Sequence, residues 1–129
     1  MRGVGWAALA LLLVACCSQA AQASVVAGTG ALTFTAPPKE VTIGEPGLLT
    51  TLHDNLGTSV FAIVIMVLRD NSGQMVYYST ATVNVTRGLY GDAFTVAVGL
   101  PVGAYNATVF AITPGGLPLS NSTTVLYSA

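Results

Sequence analysis

The stretch TSVFAIVIMVLR, residues 58–69, decides the fold. Nine consecutive apolar residues, from Val60 to Leu68, replace the alternation of a half-exposed strand, so both faces of this strand avoid water. In a two-sheet sandwich one apolar face is enough. The reading here sends Phe61, Ile63, Ile65 and Val67 to the core and leaves Val60, Ala62, Val64, Met66 and Leu68 to face something else. The strand ends at Asp70-Asn71-Ser72-Gly73, whose Asn and Gly tolerate the positive φ that a tight hairpin needs. Residues 74–79 form the return strand, and residues 80–86 follow it.

Working outward, strand-like segments recur between turn residues every 8 to 12 positions or so, the spacing of sandwiches and barrels. Upstream, residues 31–35 alternate before the Pro37-Pro38 break. Residues 41–43 make a short strand, Gly44-Glu45-Pro46-Gly47 turns the chain, residues 48–53 continue, and Asp54-Asn55-Leu56-Gly57 turns again. Downstream, residues 87–92 form a loop, residues 93–98 alternate, and residues 106–112 follow the run Leu100-Pro101-Val102-Gly103-Ala104-Tyr105. Thr113-Pro114-Gly115-Gly116 and residues 122–127 close a C-terminal hairpin. Helical periodicity is absent. The expected fold is all-β, an antiparallel sandwich of about seven or eight strands.

The run Leu100-x-x-Gly103-x-Tyr105 before a strand resembles the tyrosine corner of immunoglobulin-like sandwiches, in which the hydroxyl bonds back to the backbone a few residues upstream. Together with VTIGEPG, NLG, RDNSGQMVYY and LPVGAY…VFAITPGG, it makes residues 40–127 resemble the small immunoglobulin-like modules of prokaryotic cell surfaces, in particular the CARDB-like domains of archaeal exported proteins. The resemblance implies an immunoglobulin-like sandwich serving as stalk, spacer, adhesive unit or filament subunit. Such modules share no catalytic residues, so none is implied for this chain.

The N-terminus reads as an export signal. Arg2 supplies the positive charge, residues 6–15 are unbroken apolar, and no acidic residue precedes Glu40. The uncharged stretch 4–17 is 14 residues long, short of the roughly 20 that span a bilayer. Two processing patterns compete. Ala21-Gln22-Ala23 suits cleavage before Ser24, giving a signal at 1–23. Leu13-Val14-Ala15-Cys16 resembles a lipobox, which would remove 1–15 and make Cys16 a lipidation candidate. Arg2-Gly3 also resembles an archaeal prepilin site, with the apolar segment retained. Both cysteines lie at 16 and 17, so a chain starting at Ser24 has no disulfide. Residues 24–38 then form an N-terminal arm or edge strand, and 39–129 the sandwich domain.

Composition narrows the chemistry. Of 129 residues only 7% are charged, against roughly 25% in ordinary soluble domains. Hydrophobic residues make up 53% and mean hydropathy is +0.70, which excludes an intrinsically disordered chain. A net charge of −1 without a Lys/Arg cluster gives nucleic acid no electrostatic footing. His53 is the sole histidine, and it stands at a strand end beside Asp54, a turn position rather than a triad. Asp54, Asp70 and Asp92 belong to separate turns; convergence at one end would offer calcium a site, but Asp in turns is explained by local hydrogen bonding. Residues 28–30, Gly-Thr-Gly, lack the lysine and helix of a phosphate loop. No enzymatic activity, cofactor or metal is expected. Asn-x-Ser/Thr occurs at Asn84, Asn106 and Asn121, never with proline between. At the first two, alternation with Val83, Val85, Tyr105 and Ala107 turns the asparagine toward solvent, making all three glycosylation candidates.

The expectation is therefore an extracellular or cell-surface structural or adhesive module, contacting other surface proteins or itself and reaching the membrane only through a signal or lipid anchor. The alternatives are a filament or pilus subunit that donates residues 24–35 as a strand to its neighbour, and a lipid-anchored ligand-binding module using Tyr77, Tyr78 and Tyr90.

Overall fold

A computed structural model describes residues 29–129. The signal or lipobox segment, Cys16 and the start of the proposed arm lie outside the described residues. Eight strands follow in order: β1 (Leu32–Phe34), β2 (Lys39–Ile43), β3 (Glu45–Asp54), β4 (Val60–Arg69), β5 (Met75–Val85), β6 (Tyr90–Val96), β7 (Ala104–Ile112) and β8 (Thr123–Ser128). All pairings are antiparallel, and the described residues contain no helix. They make an antiparallel β-sandwich of two sheets.

In the first sheet β3 is central. β6 pairs along one side, and β1 and β2 lie end to end along the other, β1 against Leu52 to Asp54 and β2 against Glu45 to Leu49. Between β1 and β2 the register against β3 shifts by two residues, and Pro37-Pro38, which cannot donate to a ladder, occupy the break. The second sheet runs β5-β4-β7-β8. β5 stays beside β4, and the crossing to the first sheet falls in the turn at residues 86–89, where Leu89 N–H donates to the Thr86 carbonyl at 2.8 Å.

The inner faces supply the core: Leu48 and Leu52 from β3, Ala62, Val64, Met66 and Leu68 from β4, Val83 and Val85 from β5, and Ala107, Val109 and Ala111 from β7. The alternating faces of β4 are thus the reverse of the sequence expectation. Val60, Ala62, Val64, Met66 and Leu68 point inward, whereas Phe61, Ile63, Ile65 and Val67 form the outer face. A strand apolar on both sides has no parity of its own, so its partners decide. Ladder pairing sets Phe61, Ile63 and Ile65 opposite Asn84, Thr82 and Thr80, whose polar side chains require the solvent side. Across β7, inward Ala107 and Ala111 pair with Leu68 and Val64.

Two turn boundaries also move. The chain reverses at Gly44 alone, at φ +75°, and Glu45, Pro46 and Gly47 belong to β3. Gly47 is required for space rather than for its dihedral: a Cβ there would strike the Thr95 carbonyl oxygen and the Phe94 ring, which lies across the gap the missing side chain leaves. Residues 74–86, read as two segments, are one long strand, β5.

The open sides of the sandwich are laced by single contacts. Leu119 bridges the sheets, its carbonyl accepting from Leu32 N–H at 2.8 Å while its N–H donates to the Ala111 carbonyl at 2.9 Å. On β2, the Glu40 carboxylate reaches β8 and accepts from Ser128 N–H at 3.3 Å.

Candidate functional site

The residues singled out from sequence separate into three regions. On the outer face of the β3 sheet, His53 pairs in the ladder with Tyr90, their ring centroids 4.8 Å apart at 53°. His53 Nδ1 lies 2.9 Å from Asn55 Oδ1, which makes Nδ1 the protonated nitrogen. Asn55 in turn donates to the Gly30 carbonyl at 3.0 Å and Thr33 Oγ1 at 3.3 Å. Sequence neighbours on a strand face opposite ways, so His53 looks outward while Asp54 is buried at 2% exposure. The pair is not an acid–base couple.

The three turn aspartates stay apart. Asp54 Oδ1 accepts from Leu56 N–H and Oδ2 from Gly88 N–H, each at 2.9 Å, tying the turn after β3 to the turn before β6. Asp70 closes the hairpin at the other end of β4, accepting from Ser72 N–H at 2.9 Å, Ser72 Oγ at 2.6 Å and Gln74 N–H at 3.1 Å. These bonds, the Ser72 hydroxyl first, hold its carboxyl below the ordinary value of 3.8. Asp92 accepts from Thr51 Oγ1 at 2.6 Å on the outer face of the β3 sheet. Among the described residues no three His, Cys, Asp or Glu side chains gather to hold a metal ion.

The corner before β7 is built by Tyr105. Its ring is buried in the core, against which Leu100 also packs partly buried, and its hydroxyl donates to the Pro101 carbonyl at 2.7 Å. Gly103 exchanges hydrogen bonds with the terminal Ala129, its carbonyl accepting at 2.9 Å and its N–H donating at 3.4 Å. Opposite Tyr105 in the ladder, Tyr127 is buried too. Burial, aided by the negative charge of Glu40, pushes its phenol above the ordinary range.

The tyrosines considered for ligand binding do not form a patch. Tyr77 points inward and is half-buried, Tyr78 stands on the outer face of the β4 sheet, and Tyr90 is on the other sheet. The outer face of the β4 sheet carries a continuous apolar row, exposed at Phe61 and half-buried at the other positions. There the row Phe61, Ile63, Ile65, Val67 is flanked by Ile112 and Phe110, paired with Ile63 and Ile65. Phe61 is 52% exposed, beside a shallow open pocket of about 260 Å³ also lined by Ser59, Thr113, Pro114 and Leu119. The sequence shows a doubly apolar strand but not which half faces out, so Phe61 and its row are placed only by the register.

Two of the three candidate acceptor asparagines share this face. Asn84 stands opposite Phe61 on β5, and Asn106 opposite Arg69 on β7; both are exposed. Asn121 is exposed in the segment before β8. No protein-family model, curated protein or solved structure matches the chain.

Proposed function

We propose that the protein is an exported structural or adhesive module of a cell surface, acting through its faces and not through catalysis. The observation that carries this reading is the outer face of the β4 sheet. It presents an apolar row bordered by Asn84 and Asn106, a surface suited to contact with a macromolecule or to cover by glycans. Support also comes from the N-terminal pattern of Arg2 followed by an apolar run and small residues. The strand-donation alternative has less support, because Leu32 is fully buried and β1 pairs with the β3 of its own sheet.

Intact-mass measurement on protein purified from its native cells, with fractionation, tests the proposal. The expected species lacks residues 1–23 and carries glycan on at least one of Asn84, Asn106 and Asn121; loss of 1–15 with lipid on Cys16 keeps the surface location and changes the anchor. A chain beginning at Met1 in the cytoplasmic fraction overturns the reading.

A further inference from the structure

Each sheet of an open sandwich has two edges, and an unpaired edge is a template for another strand unless something blunts it. Three of the edges here are blunted. The β1–β2 edge is occupied at Leu32 by the Leu119 carbonyl and carries Lys39 and Glu40 farther along. The β6 edge carries Asp92, and its Gly91 sits under Val83 and Val85 of β5, so tightly that a Cβ would come within 2.9 Å of Val83 Cγ2. The β8 edge is six residues long, and the Glu40 carboxylate takes its Ser128 N–H.

Among the described residues the β5 edge has none of these devices, and its one irregularity is the register shift that leaves Val76 without a partner on β4. Its sequence MVYYSTATVNV is eleven residues long and contains no charge, proline or glycine. Its last residues turn against β6, which leaves residues 75–82 as the stretch with no strand beside it among the described residues. Met75, Val76 and Tyr78 are all exposed large hydrophobic side chains on that stretch. A strand with strong β propensity and exposed apolar groups is what edge protection normally prevents.

We propose that residues 75–82 of β5 pair antiparallel with the same stretch of a second copy, joining two β4 sheets into one continuous eight-stranded sheet. The occupant is a second copy: a strand laid antiparallel on itself sets its own residues across the axis, and β5 has no charge to repel and aromatic and β-branched residues to pair. Residues of one face meet residues of the same face when the two-fold axis passes through a residue, which brings Tyr78 and Thr80 of one copy beside those of the other. Aromatic and β-branched side chains are favourable cross-strand partners. With the axis through a residue at most seven residues on each side pair, which supplies about seven backbone hydrogen bonds, within the 10 ± 5 of a standard protein interface. The outer apolar rows then lie on one side of the joined sheet. The pairing depends on the fold alone and stands apart from the proposed surface role.

The test is sedimentation velocity of the full chain across the micromolar range. The wild type is expected to be a concentration-dependent dimer. Thr80→Lys, which brings two like charges together near the axis, is expected to weaken the dimer about a hundredfold or more with far-ultraviolet circular dichroism unchanged. Thr124→Lys, on the outer face of β8, is expected to leave it intact. A wild type that stays monomeric overturns the proposal. So does dissociation by Phe61→Lys but not Thr80→Lys, which would put the second copy on the sheet face, or dissociation by Thr124→Lys alone, which would put it on β8. Amide hydrogen exchange gives a mutation-free reading that survives a misfolded variant. Protection of residues 75–82 should rise about tenfold from dilute to concentrated protein while that of β8 stays constant; equal protection at both concentrations overturns the pairing.

Discussion

Two turns of this protein share one sequence pattern, Asp54-Asn55-Leu56-Gly57 and Asp70-Asn71-Ser72-Gly73, and one local geometry. In each, Asp Oδ1 accepts from the N–H two residues on at 2.9 Å, and the glycine takes a positive φ, +76° in the first and +83° in the second. Beyond that they diverge. The bonds of Asp70 all return to its own hairpin, whereas Asp54 is buried and its second oxygen crosses to Gly88, 34 residues away. Asp54 ends the inward series Leu48, Thr50, Leu52 on β3, so strand parity carries it into the core. The same Asp-Asn-x-Gly pattern makes a surface turn in one place and a tie between distant loops in the other. What separates them is the face on which the strand delivers the aspartate.

Among losses of hydrogen bonding alone, the largest expected effect breaks the buried tie. Asp54→Ala leaves the N–H groups of Leu56 and Gly88 without their partner and should cost about 3 kcal/mol in urea denaturation; a loss below about 1 kcal/mol would mean that water replaces the carboxylate and the two turns are equivalent. Tyr105 is the intermediate case, because its bond to the Pro101 carbonyl is local in sequence yet made by a buried ring. Tyr105→Phe should cost about 1 kcal/mol and Tyr105→Ala several, read in the same denaturation series. An unchanged midpoint for both would remove the corner from the stabilising contacts.

Asp70→Ala should have the smallest effect, and a pH dependence sharpens the contrast. The carboxyl of Asp70 is held below its ordinary value in the folded chain, so its contribution is fully present above about pH 3.8 and disappears as the pH falls through the lower folded value. The melting temperatures of wild type and Asp70→Ala should therefore differ at neutral pH and converge in acid. A difference that persists at pH 2 would assign the effect to something other than the ionised carboxylate.

The extent to which the sequence discloses this structure follows the same division between local and distant causes. Turn residues and alternation are local, and they mark out most strands and the Leu100 to Tyr105 corner. The alternation Val83-Asn84-Val85-Thr86 is likewise visible, and Asn84 stands exposed. The faces of β4 are not legible, because nine apolar residues in a row contain no parity and the decision rests with Thr80, Thr82 and Asn84 on the partner strand. Glu45-Pro46-Gly47 reads as a turn because a glycine normally signals backbone freedom; here it makes room for the Phe94 ring, a contact made across β3 and β6. The scatter of the tyrosines is hidden for a related reason, since Tyr77 and Tyr78 are adjacent in the chain and on opposite faces of the sheet.

The Pro37-Pro38 interruption has a mechanical consequence. Tension applied from the N-terminal side reaches the three-residue β1 first, and β1 holds β3 only through Leu32 to Phe34, with the Leu119 carbonyl as a further grip. Beyond it lie two prolines with no N–H to hold the ladder, and then the separately paired β2. The edge is thus loaded as two short zippers in series. The first releases a contour of roughly 25 Å before the second bears force. A module under load would extend slightly at low tension while its core remained shut, and a force–extension trace should show that small early step ahead of the main rupture.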